Sequence, residues 1–132
     1  LFPGCVITLE GELGAGKTIF AKGIALSLNV KQTVNSPTFT IIKEYMGDLP
    51  LYHMDVFRID NDYEDLGFDE YFYGNGITII EWANKIDSQL PEERLAIEII
   101  VIENTTRLIS IYPLGKQYRL LCEELKNEKI ID

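Results

Sequence analysis

The sequence predicts an α/β fold, a mixed parallel and antiparallel sheet flanked by helices, and three observations carry that prediction. A short apolar run, Cys5-Val6-Ile7-Thr8-Leu9, passes through a glycine-rich turn into a helical pattern from Lys17 to about Leu28, the order strand, loop, helix. Two β-rich runs, 39–45 and 51–58, flank Met46-Gly47-Asp48-Leu49-Pro50, whose glycine and proline have hairpin chemistry and predict two antiparallel strands. Ile77-Thr78-Ile79-Ile80 is apolar along its length, as a strand buried on both faces is, and ends at Glu81-Trp82.

The remaining elements follow in order. The stretch from Asp62 to about Phe72 reads as a short acidic helix, and Pro91 punctuates the turn after the Ile77 strand. Leu95 to Ile102 and Leu108 to Tyr112 are β-rich runs around the turn Asn104-Thr105-Thr106. The last segment places Tyr118, Leu121, Cys122 and Leu125 on one helical face. No internal repeat or low-complexity segment interrupts this pattern.

A chain of 132 residues, 46% of them apolar, has room for one core and none for a second domain. Its formal charge is −9, and the acidity is concentrated. Residues 1–43 carry +2 (Lys17, Lys22, Lys31 and Lys43 against Glu10 and Glu12), whereas residues 44–70 carry −8 (nine carboxylates against Arg58). With only four arginines, Arg58, Arg94, Arg107 and Arg119, the chain lacks the basic stripe of an independent nucleic-acid binder. The acidic block reads either as a solvated face or as a docking surface for a basic partner. No run approaches the roughly 18 apolar residues of a membrane span. The start, Leu1-Phe2-Pro3-Gly4, has no basic segment leading into an apolar one, so the expected location is cytoplasmic. Cys5 and Cys122 form no Cys-x-x-Cys and are expected to be reduced core thiols.

The first motif with chemistry in it is Gly11-Glu12-Leu13-Gly14-Ala15-Gly16-Lys17-Thr18, a full match to G-x-x-x-x-G-K-[ST] in its proper strand-to-helix context. Its glycines let successive backbone N–H groups face inward around an anion, and the following helix adds its positive N-terminal end. The fold class is therefore P-loop NTPase-like. Lys17 is expected to reach the β- and γ-phosphates of a nucleotide and the Thr18 hydroxyl to join an Mg²⁺ shell.

A phosphate cradle alone hydrolyses nothing, because the metal must be held from a second side and water must be oriented. Glu81 meets the first need, emerging at the carboxyl end of its strand, where ligands of open α/β sheets bind. Asp55 is the second acid; His53, Asp55 and Phe57 share one face of a strand by the period of two. Which of Asp55 and Glu81 orients water is left open by the sequence, and His53 reads as a satisfied core histidine or as a proton shuttle. Ser36-Pro37-Thr38 fits a switch-like loop, stiffened by Pro37 and carrying two hydroxyls, or a plain turn before a strand.

Two other motifs compete. Asn84-Lys85-Ile86-Asp87 matches the Asn-Lys-x-Asp pattern by which GTPases recognise guanine, and gives the alternative of a small GTPase-like or nucleotide-dependent switch protein. Against it, no Asp-x-x-Gly lies between the phosphate loop and this motif, and the preceding strand ends instead in Glu81-Trp82. Asp60-Asn61-Asp62-Tyr63-Glu64-Asp65 hints at a calcium loop, but Asp65 stands where glycine is required and Tyr71 where the bidentate glutamate belongs.

Four blocks, residues 9–18, Ser36-Pro37-Thr38-Phe39-Thr40, His53-Met54-Asp55-Val56-Phe57-Arg58 and Ile80-Glu81-Trp82, occur in the order seen in the TsaE family, also known as YjeE. The chain resembles that family, the P-loop ATPases of bacterial threonylcarbamoyl-adenosine tRNA modification, along nearly its whole length. The resemblance implies one P-loop ATPase domain over residues 1–132 that binds ATP and Mg²⁺. It implies work with two partners, TsaD-like and TsaB-like proteins of sugar-kinase-like fold, with tRNA met only through the complex and no membrane. It also implies roles for single residues. Gly11, Glu12, Leu13, Gly14, Ala15, Gly16, Lys17 and Thr18 cradle the nucleotide, Thr18 and Glu81 hold the metal, and Thr38 stands near the γ-phosphate. Asp55 and Trp82 match positions needed for activity, Trp82 beside the nucleotide; the catalytic set is thus Lys17, Asp55 and Glu81. Departures are Phe57 where tyrosine is common and Ile19 where a second threonine is common; an N-terminal segment that the family usually carries is expected before the first strand. No arginine adjoins the phosphate loop or the switch-like loop in sequence, so low intrinsic, partner-stimulated ATPase activity is expected.

Overall fold

The computed structural model describes residues 1–12, 14–35, 41–59 and 67–130. Its strands are β1 (Val6–Gly11), β2 (Ile42–Tyr45), β3 (Leu51–Asp55), β4 (Ile77–Glu81), β5 (Arg94–Glu103) and β6 (Thr106–Leu114). Its helices are α1 (Lys17–Ser27), the single turn α2 (Asp69–Phe72) and α3 (Lys116–Asn127), with a 3₁₀ segment, Ala83–Gln89, directly after β4. The strands form one sheet in the order β2-β3-β4-β1-β5-β6. The four central strands run parallel, and the outer two, β2 and β6, pair antiparallel with β3 and β5. The short turns after β2 and β5 can join only antiparallel neighbours, whereas each central strand needs a crossover to return in the same direction.

The period of two in the strands sorts the apolar residues into two layers. Cys5, Ile7, Leu9, Leu51, Ile77, Ile79, Leu95 and Ile97 form one core with Ala21 and Ala25 of α1 and Tyr118 and Cys122 of α3. Val6, Met54, Val56 and Ile80 form the other with Phe68 and Phe72 at α2 and Ala83 and Ile86 of the 3₁₀ segment. All five residues of β4 are buried, as its unbroken apolar run predicts. The same alternation puts His53, Asp55, Ile79 and Glu81 on the face covered by α1.

Several boundaries differ from the sequence reading. β3 stops at Asp55 instead of continuing to Arg58, because the Asp55 Oδ1 accepts the Phe57 N–H at 3.0 Å and turns the chain. Phe57 therefore does not share a strand face with His53 and Asp55. The β5–β6 hairpin is longer than predicted, with a register shift between Val101 and Glu103. The predicted acidic helix is described only as α2, and its Asp62, Glu64 and Asp65 lie outside the described residues, as do positions 39 and 40 of the predicted second strand. On α3, Tyr118 and Cys122 are buried and Leu121 and Leu125 half-buried, as the helical spacing predicts.

Tyr118 closes a gap in the sheet. The β1–β5 register begins at Ile7 opposite Leu95, so on that side the Val6 amide has no strand partner; its N–H donates instead to the Tyr118 hydroxyl at 2.8 Å. Burial pushes that phenol up to about 12. Burial likewise pushes the neighbouring Cys5 thiol up to about 11, which keeps it protonated and inert. Tyr118→Phe, which leaves the buried Val6 donor without an acceptor, is expected to lower unfolding free energy by about 1–3 kcal/mol. Urea unfolding followed by far-UV circular dichroism measures this; an unchanged midpoint would show that water replaces the hydroxyl.

Candidate functional site

The turn after β1 is shaped by close approach. A Cβ on Gly11 would stand 2.7 Å from the Ile99 carbonyl of β5, so only glycine lets the strand leave the sheet here. Gly16, with φ 110°, is the N-cap of α1 and supplies no side-chain cap, which leaves the first amides of the helix facing the loop. Ala15 N–H donates back to the Glu12 carbonyl at 3.0 Å, and Phe20 N–H to that of Gly16 at 3.0 Å. Among the predicted loop residues, Gly11, Glu12, Gly14, Ala15, Gly16, Lys17 and Thr18 are described; Leu13 lies outside the described residues, and so does Thr38.

Lys17 is 5% exposed. Its ammonium donates to the Gly11 carbonyl at 2.7 Å and lies 3.5 Å from the centroid of the Trp82 ring. Burial pushes this ammonium below its ordinary range, while the carboxylates of Glu81, Glu10 and Asp55 pull it back up. Trp82 occupies left-handed backbone, φ 63°, unusual for a bulky residue and the means by which the chain turns sharply off β4 into the 3₁₀ segment. Its ring also meets Phe57 at a centroid distance of 4.8 Å, and Lys85 stacks over Phe57 from beyond.

The two predicted carboxylates are brought together. Asp55 is register partner to Glu81 across β3 and β4, and Leu9 of β1 is its partner on the other side. Both acids thus stand at the carboxyl ends of adjacent parallel strands, on the α1 face with Lys17. Glu81 is nearly fully buried and its Oε2 lies 2.5 Å from Nε2 of fully buried His53. Among the described residues no group of three or more His, Cys, Asp or Glu side chains gathers as a protein-only metal cage. Mg²⁺ needs none, being held commonly by one or two protein oxygens together with phosphate oxygens, and the hydroxyl of Thr18 with the carboxylate of Glu81 is a hard-oxygen donor set of that kind.

Asn84-Lys85-Ile86-Asp87 has a structural occupation. It lies in the 3₁₀ segment with Ile86 fully buried. The Asn84 N–H donates to Glu10 Oε1 at 2.8 Å, tying the exit of β4 to β1 on the sheet face opposite Lys17's. With its amide nitrogen turned toward them, the Asn84 side chain also donates to Glu10 Oε2 and the Trp82 carbonyl, each at 3.2 Å.

Sequence reasoning missed one residue. An arginine does adjoin the phosphate loop: Arg107 Nε, from β6, donates to the Ala15 carbonyl at 3.1 Å. Its Nη1 meanwhile binds the hairpin-turn carbonyls of Glu103, Asn104 and Thr106. A sequence separation of 92 residues hid this contact; the only signal was an arginine directly after the predicted turn 104–106. Between the loop and the hairpin lies a cleft of about 350 Å³ with apolar walls, Ile19, Phe20, Ile99 and Ile109, and a polar rim that includes Asn104 and Arg107. A second cleft, about 380 Å³, lies between Gly11, Glu12 and Trp82 on one side and Glu98 to Val101 on the other.

The family model for threonylcarbamoyl adenosine biosynthesis protein TsaE matches residues 1–109. The tRNA threonylcarbamoyladenosine biosynthesis protein TsaE of Bacillus subtilis (strain 168) is 57% identical over 124 residues, spanning 93% of this chain and 78% of that protein. The protein of the same name from Treponema pallidum (strain Nichols) is 44% identical over 110 residues, 82% of each chain. The crystal structure of Bacillus subtilis YdiB superposes with a TM-score of 0.85 at 50% identity, covering 98% of this chain and 81% of that one. The P-loop NTPase-like architecture is thus shared, and with a match over most of its length the chain belongs to the TsaE family of threonylcarbamoyl adenosine biosynthesis proteins.

Proposed function

We propose that this chain is the Mg²⁺-dependent, ATP-hydrolysing subunit of the tRNA threonylcarbamoyladenosine machinery, acting in the cytoplasm with TsaD-like and TsaB-like partners. The observation that carries the reading is the convergence of Lys17, Glu81 and Asp55 at one end of the sheet beside the phosphate loop. Membership of the TsaE family supplies the pathway.

In this reading the loop amides and the α1 N-terminus receive the phosphates, while the apolar cleft beside Phe20 and Ile109 takes the base. Lys17 exchanges its bond to the Gly11 carbonyl for phosphate oxygens, and Trp82 keeps the ammonium walled from water. Thr18 and Glu81 would hold Mg²⁺, which when bound neutralises charge on the β- and γ-phosphates. Asp55, half-buried at the next strand end, would orient water. Trp82 therefore lines the nucleotide site, and Lys17, Asp55 and Glu81 form the catalytic set.

ATP is the nucleotide in this reading because the guanine-type motif is engaged internally by Glu10 and the buried Ile86. Arg107 Nε and Nη1 are bound to loop and turn carbonyls, an arrangement that braces the phosphate loop and differs from a finger reaching for phosphate. A partner-completed site with slow intrinsic turnover follows. The overall charge of −9 favours contact with tRNA through partners over direct binding. No described helix is long and apolar enough to cross a membrane.

Two sets of measurements check this. In titration calorimetry with Mg²⁺, Lys17→Ala is expected to weaken ATP binding by at least about tenfold, or about 1.4 kcal/mol. GTP should bind no tighter than ATP; tenfold preference for GTP would favour the switch reading built on Asn84 to Asp87. In ATPase assays with TsaD-like and TsaB-like proteins added, Asp55→Asn is expected to retain ATP affinity and lose about 10²-fold or more in turnover. Glu81→Gln should instead weaken the Mg²⁺ dependence of binding. Wild-type rates in both variants would make the strand-end acids structural.

A further inference from the structure

We propose that His53 is a positioning residue for Glu81: its Nε2–H holds Oε2 of that carboxylate, so that the other oxygen is the one Glu81 offers to a divalent cation. The inference rests on the ATPase reading above and goes further by assigning a residue that touches neither nucleotide nor metal.

The geometry selects one tautomer. His53 is fully buried on β3, with Nε2 2.5 Å from Glu81 Oε2, and among the described residues its Nδ1 has no hydrogen-bond partner. A neutral imidazole carries one N–H. A hydrogen on Nδ1 would be a buried donor with nothing to bind, whereas a hydrogen on Nε2 meets Glu81 and leaves Nδ1 only an unused lone pair. The unpartnered nitrogen thus points to Nε2–H as donor and Glu81 as acceptor.

The sheet explains why a histidine is needed at this point. His53 lies opposite Ile79, two residues before Glu81, and on the same face. From there a ring can reach diagonally along the strand direction to the carboxylate, whose register partners are Leu9, which has no side-chain donor, and Asp55, a second acid. A carboxylate with free rotation at a strand end would present either oxygen; one with Oε2 fixed presents Oε1 alone. Partners that orient a metal-binding side chain in this way commonly contribute about 10- to 100-fold in metal affinity.

The test uses the untagged full chain, in which His53 is the single histidine. Nitrogen-15 labelling of histidine then gives one imidazole in the NMR spectrum, expected with hydrogen on Nε2 and none on Nδ1; hydrogen on Nδ1 overturns the proposal. The second readout is the Mg²⁺ concentration that half-saturates the metal-dependent gain in binding of a non-hydrolysable ATP analogue. His53→Gln, whose amide nitrogen stands as many bonds from the backbone as Nε2, should stay within about threefold of wild type. His53→Asn, whose amide stops at the level of Nδ1, and His53→Leu should need about 10- to 100-fold more Mg²⁺ while binding the analogue normally without metal. Equal losses in His53→Gln and His53→Asn, or wild-type Mg²⁺ dependence in folded His53→Leu, overturn the proposal. Should His53→Leu fail to fold, the Gln and Asn pair and the wild-type spectrum still decide. Absence of any Mg²⁺-dependent analogue binding by the wild type would instead overturn the ATPase reading, and this inference with it.

Discussion

Lys17 carries an ammonium into a nearly closed position at the carboxyl ends of parallel strands, and the surrounding arrangement answers the cost of that burial. An unpaired buried ammonium is expensive enough to give up its proton. Here it donates to the Gly11 carbonyl and lies on the Trp82 ring, and the charges of Glu81, Glu10 and Asp55 oppose the effect of burial. Each of those neighbours is itself fixed. Gly11 is pressed against β5, Trp82 is held in left-handed backbone at the end of β4, and Asp55 is bound to the turn that follows it.

The two faces of the sheet divide the work. On the α1 face stand Lys17, His53, Asp55 and Glu81, over a core shared with α1 and α3. On the opposite face, Glu10 binds the start of the 3₁₀ segment and so fixes the direction in which the chain leaves β4 after Trp82. Burial raises the Glu10 carboxyl, and the hydrogen bonds from Asn84 and Ala83 oppose that rise. The two faces meet at the β4 exit, where Glu81, on the α1 face, is followed directly by Trp82 and Ala83, which pack with the opposite core.

The hairpin of β5 and β6 has a second task beyond completing the sheet. Its turn carbonyls and the Ala15 carbonyl share one guanidinium, so the phosphate loop is tied to the far edge of the sheet by Arg107 as well as by the chain that continues into α1. A loop held in this way has less freedom left to lose when a ligand binds. The same engagement separates this site from those in which an arginine reaches the transferred phosphoryl group.

Local pattern determined much of this molecule. The unbroken run Ile77 to Ile80 marked a buried central strand, the glycines before Lys17-Thr18 marked the turn from an apolar strand into a helix, and the carboxylate right after the run marked the strand end. Tyr118 and Cys122 announced the inner face of α3 by helical spacing. What tertiary structure decided were relations between residues far apart in sequence: Asp55 beside Glu81, His53 on Glu81, Tyr118 under Val6, and Arg107 on Ala15. Periodicity says which face a side chain takes but says nothing about strand order, and only the order β3-β4-β1-β5-β6, with α3 packed on that sheet, makes neighbours of these groups. The end of β3 was also beyond local pattern, because Val56 to Arg58 have the composition of a strand. A hydrogen bond from Phe57 back to Asp55 turns the chain there, and competition between a side chain and the sheet for one amide is settled by the neighbours each would meet.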